Sequence, residues 1–288
     1  MKSALTAAPE GLPPRAPINF FDVTERQAAY EYLSKRSIPL VAHKDGRSAV
    51  EGTATLLRVG DDHYLTTVAH TLEAAVDADV SLLVPDRRGG FIPLPGPVEY
   101  IPEAADRCNA DVGVGRIDDK TAKQLLRVYE PLLLNDIQAP AGPVHGIYAV
   151  CGYLGTEPNP SNPTAHLHLS PVYQGEVPAH LQAVTRPDIH FLLELPDEVC
   201  DQTGATFPTP SLKGLSGAPL WCMTPSGAVW DPSCLRVLGV QTGVLRGRWI
   251  RFTNWGAVAG ALGNTYPSLR TPLEDAWNDH SIPWPARE

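Results

Sequence analysis

The sequence has 288 residues, 43% of them hydrophobic, and a formal net charge of −9 at pH 7. A chain of this length can form one large domain or two small domains, each with its own hydrophobic core. Lys and Arg form no stripe that could follow a phosphate backbone, so we expect no nucleic-acid partner. No apolar run approaches the roughly 18 residues of a membrane span, and the first residues lack the apolar core of a secretory signal. We therefore expect a cytoplasmic protein that does not bind a membrane.

The cysteines predict free thiols. They are odd in number, scattered, and never paired as C-x-x-C, which fits neither a disulfide framework nor a zinc site. They are Cys108, Cys151, Cys200, Cys222 and Cys234. We expect reduced, mostly buried thiols, and neither a metal ion nor another cofactor.

One helix and two sets of strands are predicted. The segment Thr24–Lys35 has helical spacing of its apolar residues, with Asp22 or Thr24 as the N-cap, and we expect it to pack outside the strands. The first set of strands is Ile38–Ala42, Gly52–Val59, His63–Ala69, Val80–Val84, Val98–Ile101 and Val112–Ile117. A linker is predicted over Asn135–Pro143, because this segment is rich in turn-forming residues.

The second set of strands follows the linker. It comprises Gly146–Leu154, His166–Tyr173, Leu181–Val184, His190–Leu195, Ala218–Cys222, Arg236–Val244 and Trp249–Thr253. The 29 prolines and 24 glycines lie between these short apolar runs, as is typical of proteins made of many short strands. Two successive groups of strands predict a mainly β protein with two small antiparallel barrels or sandwiches.

The strongest chemical signal is the segment Gly214-Leu215-Ser216-Gly217-Ala218-Pro219-Leu220. A serine between glycines, in a tight turn that leads into an apolar strand, can direct the backbone N–H groups of Gly214 and Ser216 at one point beside the hydroxyl. That arrangement is the one an oxyanion needs. Taken alone, the segment is also an ordinary turn, because Gly, Ser and Pro are common turn residues.

A serine hydroxyl needs a base before it can act as a nucleophile. His70 stands where the apolar strand ends, just before a short turn or helix at Thr71–Ala75, and Asp111 opens a later apolar strand. Each residue alone has a structural interpretation, as a strand-end histidine and a strand-capping carboxylate. The order His, Asp, Ser across the two strand sets predicts a catalytic triad in the cleft between them.

The sequence resembles the chymotrypsin-like serine peptidase family. Leu65-Thr66-Thr67-Val68-Ala69-His70 resembles the family's L-T-A-A-H segment, Asp111-Val112-Gly113-Val114 its D-I-A-L segment, and residues 214–220 its G-D-S-G-G-P-L segment. The family's G-V-x-S strand resembles Gly239-Val240-Gln241-Thr242-Gly243, and its strand before the histidine resembles Gly52-Thr53-Ala54-Thr55-Leu56-Leu57. The first strand of its second barrel resembles Val150-Cys151-Gly152-Tyr153-Leu154-Gly155. The resemblance covers residues 37–258.

This resemblance implies two antiparallel six-stranded β-barrels with the active site in the cleft between them. It divides the chain into an N-terminal extension with a helix (1–36), a first barrel (37–134), a second barrel (144–258) and a C-terminal extension (259–288). The implied activity is that of an intracellular, trypsin-like serine endopeptidase that cleaves a protein or peptide through an acyl-enzyme. His70, Asp111 and Ser216 would be its triad, and the N–H groups of Gly214 and Ser216 its oxyanion hole.

The resemblance also implies where substrate binds. The strand at Thr242, Gly243 and Val244 would pair with the extended substrate, and the selectivity position falls at Pro210. No acidic residue stands there, so Arg or Lys is not the expected specificity; an apolar or small side chain is favoured. A dedicated target or an activating partner protein is a further expected partner.

The sequence departs from the family at Thr71, Leu215 and Ala218. Thr71 stands where secreted relatives carry a disulfide cysteine, Leu215 replaces an acidic residue before the nucleophile, and Ala218 replaces the second glycine. Without the acidic residue, a newly cut N-terminus would have no acceptor in the turn. We therefore expect activity that does not depend on zymogen cleavage.

Three alternatives compete with this interpretation. The first is a catalytically silent double-barrel protein that binds or scaffolds through the same cleft. The second is an α/β-hydrolase esterase, which would need a G-x-S-x-G segment and the order Ser, Asp, His. The third is a zinc hydrolase that uses His166 and His168, for which the sequence offers no H-E-x-x-H helix.

Overall fold

The protein is described by a computed structural model. The described residues are 23–94, 98–100, 110–137, 147–156, 158–171, 181, 185–186, 188–194, 198–200, 205–223, 231–232, 235–245 and 249–278.

The first sheet contains seven antiparallel strands in the order β5-β4-β1-β2-β3-β7-β6. Their bounds are β1 (Ile38–Lys44), β2 (Arg47–Val59), β3 (Asp62–Thr67), β4 (Leu82–Pro85), β5 (Phe91–Pro93), β6 (Glu99–Tyr100) and β7 (Gly113–Ile117). The predicted strands of the first set are all found, and β5 is an additional one. Asp45 and Gly46, with φ of 53° and 73°, join β1 to β2 through a tight turn of the kind that matches the twist of a hairpin.

The second sheet contains six antiparallel strands in the order β10-β15-β14-β13-β8-β9, and β11 and β12 form a separate pair. Their bounds are β8 (Ile147–Gly152), β9 (His166–Pro171), β10 (His190–Glu194), β11 (Glu198–Cys200), β12 (Thr206–Pro208), β13 (Pro219–Met223), β14 (Arg236–Leu245) and β15 (Trp249–Asn254). Six of the seven strands predicted for the second set are found. The remaining one, Leu181–Val184, lies outside the described residues except for Leu181, which is not in a strand.

The described helices are α1 (Val23–Ser34), α2 (Ala69–Asp77), α3 (Asp119–Leu125), α4 (Trp255–Thr265) and α5 (Arg270–Asn278). The helix predicted from the sequence is confirmed as α1, and the short helix after His70 as α2. The helices α3, α4 and α5 were not predicted. Of the predicted linker, residues 135–137 are described: 134–136 form a single helical turn, and Ile137 bridges to Val237 of β14.

Each sheet encloses a hydrophobic core, and a third core lies between the sheets. The core of the first sheet includes Ile38, Leu40, Leu56 and Leu65, and the core of the second includes Leu215, Leu220, Leu238 and Phe252. The third core combines Val41 and Leu57 of the first sheet with Trp221 and Val237 of the second, and with Leu33 of α1 and Val258 of α4. The two sheets are therefore held against each other, which positions groups from one sheet against groups from the other.

None of the described helices is long and apolar enough to cross a membrane. The part of the chain that the structure describes also contains no group of three or more His, Cys, Asp or Glu residues arranged to hold a metal ion.

Candidate active site

His70 and Asp111 lie together at the end of β3. His70 is the second residue of α2, and its backbone N–H donates to Asp111 Oδ1 over 3.0 Å. Its ring Nδ1 lies 2.7 Å from Asp111 Oδ2. A carboxylate oxygen only accepts hydrogen bonds, so Nδ1 carries the proton and Nε2 is left with its lone pair. The aspartate therefore holds the imidazole in the tautomer that a general base requires.

The loop that carries Asp111 is held from both sheets. Asp111 has a φ of 53°, a conformation that Asp adopts more readily than most residues because its short side chain can hydrogen-bond locally. Ala69 N donates to Asp111 O over 3.3 Å, and Thr253 Oγ1 of β15 donates to Ala110 O over 2.6 Å. The carboxylate position therefore depends on the packing of the second sheet as well as on the first.

Ser216 lies in the tight turn that precedes β13. Gly217 N donates to Gln241 O of β14 over 2.7 Å, which ties the turn to its own sheet. Gly217 has a φ of 88°, and a Cβ atom there would overlap with Thr53 O. Only glycine fits this position, because the turn bends through the left-handed region against the backbone of β2.

The peptide that joins Lys213 to Gly214 is fixed by a hydrogen bond on its carbonyl side. Lys213 O accepts from Gly155 N over 2.6 Å. In a trans peptide the C=O and N–H groups point in opposite directions, so the N–H of Gly214 is directed away from Gly155.

The peptide that joins Leu215 to Ser216 is fixed in the same way, because Leu215 O accepts from Ala218 N over 2.9 Å. Among the described residues, neither Gly214 N nor Ser216 N donates to a protein acceptor. The carbonyl oxygens of Lys213 and Leu215 thus both accept hydrogen bonds from the backbone. Among the described residues, the two N–H groups that the sequence predicts for an oxyanion are left without a protein acceptor.

Thr53 of β2 clamps this turn from the first sheet. Its backbone N–H donates to Ser216 O over 2.7 Å. Its buried hydroxyl donates to Gly214 O over 3.1 Å and accepts from Tyr153 N over 3.1 Å. Thr67 Oγ1 in turn donates to Thr53 O over 2.8 Å, which fixes Thr53 within its own sheet. One threonine therefore binds the backbone on both sides of Leu215.

The turn of Ser216 and the helix of His70 meet at Gly52. A Cβ atom at Gly52 would lie 2.9 Å from Thr71 Cγ2 and 3.2 Å from Ser216 O, so the residue after His70 and the backbone of Ser216 flank one point. No hydrogen bond joins Ser216 Oγ to the His70 ring among the described residues. Contacts between nucleophile and base are often long without substrate and shorten only in the reacting complex.

The strand β14 offers an edge beside this turn. β13 pairs with β14 as far as Val240, whereas β14 continues to Leu245 paired with β15. The register of β14 shifts between Gln241 and Gly243, which places Thr242 at a bulge. Val244 is 40% exposed, and Gly243 is half-buried.

The two remaining predicted substrate residues have different surroundings. The side chain of Thr242 is buried and accepts a hydrogen bond from Arg251 Nε over 3.0 Å, so its hydroxyl faces the protein rather than solvent. Pro210 is half-buried and lies just after β12. Substrate pairing at β14 would therefore use the backbone, as the resemblance implies.

Sequence reasoning missed two residues of this site, Thr53 and Arg251. Nothing in the local sequence distinguishes Thr53 from a threonine that only fills a strand. Arg251 does have a signal, since it is a charged residue in the middle of the apolar strand Trp249–Asn254 and is only 9% exposed. A buried arginine requires partners.

Comparison with known proteins supports the fold but not the reaction. No protein-family model matches the sequence, and no curated protein matches it. Among solved structures, the chain is similar to protease Anisep from Arthrobacter nicotinovorans, with 13% identity, a TM-score of 0.51, and coverage of 82% of this chain and 97% of that one. The chain has the chymotrypsin-like fold. Another match is Deg5, with 12% identity, a TM-score of 0.46, and coverage of 86% of this chain and 98% of that one. A third is a thermostable serine protease AL20 from an extremophilic microorganism, with 14% identity, a TM-score of 0.46, and coverage of 77% of this chain and 92% of that one.

Within this chymotrypsin-like fold, two departures from the family pattern have structural explanations. Gly52 leaves room for Thr71, since a Cβ atom at Gly52 would lie 2.9 Å from Thr71 Cγ2. Leu215 is fully buried in the core of the second sheet, so apolar packing supports the turn.

The described cysteines of this chain keep their thiols. Cys151 and Cys222 are buried, and neither forms a disulfide. Burial raises the pKa of the Cys151 thiol to about 12, so it stays protonated at neutral pH. The side chains of Cys108, Cys200 and Cys234 lie outside the described residues.

Proposed function

We propose that this chain is a serine endopeptidase that cleaves a protein or peptide substrate, with His70, Asp111 and Ser216 as its triad. The observation that carries the proposal is the pair of hydrogen bonds from His70 to the Asp111 carboxylate. One carboxylate accepts from both the backbone N–H and the ring Nδ1 of the same histidine, over 3.0 and 2.7 Å. The two contacts together fix the histidine backbone and its ring, which supports a role in which Nε2 points in one direction.

The mechanism follows from these groups. Ser216 Oγ attacks the peptide carbonyl carbon while His70 Nε2 takes the hydroxyl proton, and the carbonyl oxygen becomes an oxyanion between Gly214 N and Ser216 N. His70 then gives the proton to the leaving amine, and a water molecule repeats the cycle on the acyl-enzyme. Asp111 stabilises the imidazolium throughout, and each oxyanion donor contributes roughly a hundredfold to a thousandfold in rate.

The proposed substrate binds as an extended strand at β14. The edge from Thr242 to Val244, beyond the last residue paired with β13, supports strand addition next to the nucleophile. Pro210 at the selectivity position supports an apolar or small side chain before the cleaved bond. The absence of a disulfide at Cys151 and at Cys222 supports a location in a reducing compartment such as the cytoplasm.

A fluorophosphonate probe tests the proposal, because it reacts with activated serines and requires no known substrate. We expect one probe molecule per full-length chain, attached to Ser216, as measured by intact mass and peptide mapping. Ser216→Ala should not react, whereas Ser211→Ala, which removes an exposed serine five positions away, should react as the wild type does.

The alternative is a catalytically silent protein that binds a partner in the same cleft. The missing hydrogen bond between Ser216 and His70 is the observation that favours it. A wild-type chain that remains unlabelled at saturating probe, while its fold is intact by circular dichroism, would support this alternative and refute the peptidase.

A further inference from the structure

Arg251 is buried beside the candidate triad. It lies on β15 between Ile250 and Phe252, both fully or nearly buried, and is itself 9% exposed. An arginine in such a strand costs stability unless its charge and its donors have partners. The partners therefore indicate why the charge is there.

The guanidinium of Arg251 connects the second sheet to Asp111. Arg251 Nε donates to Thr242 Oγ1 over 3.0 Å, and Arg251 Nη2 lies 3.9 Å from Asp111 Oδ2. The same Oδ2 atom accepts from His70 Nδ1 over 2.7 Å. The Thr242 hydroxyl, the Arg251 guanidinium, the Asp111 carboxylate and the His70 imidazole thus form one continuous row of polar contacts.

Burial of the Arg251 and Asp111 side chains strengthens the attraction between them. The side chains of Arg251 and Asp111 are 11% and 13% exposed, so solvent and salt screen their attraction little. By contrast, the His70 side chain is 43% exposed. The attraction of Arg251 therefore acts mainly on the Asp111 carboxylate and favours its position beside His70.

The strand β14 leaves space for the guanidinium. A Cβ atom at Gly243 would lie 3.9 Å from Arg251 Nη2, and among the described residues, apart from the two chain neighbours of Gly243, no other atom comes within 4 Å of that position. The guanidinium of Arg251 therefore lies next to the proposed substrate edge of β14, and Thr242 of β14 holds it.

We propose that Arg251 is a positioning residue that holds the Asp111 carboxylate, and through it His70, from the second sheet. The proposal rests on the proposed peptidase function. It gives Thr242 a role different from substrate contact, because the hydroxyl of Thr242 fixes the guanidinium.

The test measures the fluorophosphonate reaction as two constants, the maximal rate kinact and the half-saturating concentration KI. Arg251→Met should lower kinact by about tenfold to a hundredfold, as expected when a reacting group is displaced by a fraction of an ångström. KI should change by less than about twofold, and Arg251→Lys should recover much of the rate because it keeps the charge.

A double-mutant cycle separates an action through Asp111 from a general loss of stability. In the Asp111→Asn background, Arg251→Met should change kinact by less than about threefold, because the charge on which Arg251 acts is gone. The matched control is Arg36→Met, which removes another largely buried arginine, paired with Glu130 over 2.8 Å on a different part of the molecule. It should leave kinact unchanged.

Several results would overturn the role of Arg251. They are an equal loss of kinact in both backgrounds, a raised KI with an unchanged kinact, or a lysine variant no faster than the methionine variant. If Arg251→Met does not fold, Thr242→Val tests the same row of contacts, since it removes only the hydroxyl that fixes Arg251 Nε. An unchanged kinact in Thr242→Val would overturn the role of Arg251 as well. A wild-type chain that does not label refutes the peptidase and this role with it, whereas a failed cycle in a labelling chain refutes this role alone.

Discussion

Replacing Thr53 by Val should both destabilise the protein and slow the reaction of Ser216. Valine keeps the shape of threonine but removes the hydroxyl, which donates to Gly214 O and accepts from Tyr153 N. Both backbone groups would remain in a fully buried environment without this partner. A buried polar group left unpaired costs about 1–3 kcal/mol, so the two together should lower the free energy of unfolding by about 2–6 kcal/mol.

The kinetic effect follows from the same contact. The peptide that joins Gly214 to Leu215 would lose the hydrogen bond on its carbonyl side. This peptide lies between the two that carry the N–H groups of Gly214 and Ser216, so both groups would be less well directed at the oxyanion. Complete loss of one such donor costs about a hundredfold to a thousandfold in rate, so a loosened donor should cost about tenfold or more. Urea unfolding measures the stability, and fluorophosphonate kinact measures the reaction.

Two control variants make the result specific. Thr53→Ser keeps the hydroxyl and removes one methyl group, so it should cost about 1 kcal/mol and leave kinact near the wild-type value. Thr55, on the same strand as Thr53, shares a buried hydrogen bond with Thr66 of β3, with 2.9 Å between the two hydroxyl oxygens; Thr55→Val removes it and should lower stability without slowing the reaction. Wild-type stability together with wild-type kinact in Thr53→Val would refute the clamp.

The remaining predictions concern the triad, activation and the thiols. Ser216→Ala and His70→Ala should each abolish cleavage with the fold retained, and more than about a hundredth of the wild-type rate in either variant would exclude the triad. Asp111→Asn should slow the reaction by roughly 10⁴-fold through the wrong imidazole tautomer; an unchanged rate would assign that role to another carboxylate. The uncut chain should react with fluorophosphonate at once, because the turn is already held by hydrogen bonds; labelling of a shortened chain only, by intact mass, would contradict this. Activity should survive dithiothreitol, and iodoacetamide near pH 8 should modify Cys151 only after unfolding, because burial holds its pKa at about 12; modification of the native protein would show that this site opens.

Short strands and their turns could be predicted because their signals are local. A strand such as Asp62–Thr67 is marked by its own apolar residues, and the turn at Ser216 by its own glycines. For the same reason, the positions of His70 and Asp111 at strand ends were visible before the structure was known. The helix Trp255–Thr265 was not predicted, because its glycines favour helix weakly. It forms because Asn254 caps it, accepting from Ala257 N over 2.9 Å, and because the buried side chains of Trp255 and Val258 anchor it.

The candidate site, like the fold, has features with local sequence signals and features that depend on tertiary packing. The residue types of a nucleophile, a base and an orienting carboxylate, and their order along the chain, were available from the sequence alone. The sequence could not show that Thr53 clamps the turn of Ser216, because the hydrogen bond from Thr53 to Gly214 joins residues 161 positions apart. Nor could it show that Arg251 of one sheet faces Asp111 of the other. Contacts of this kind depend on how the two sheets pack through the core between them, and that packing is a property of the whole fold and of no single segment.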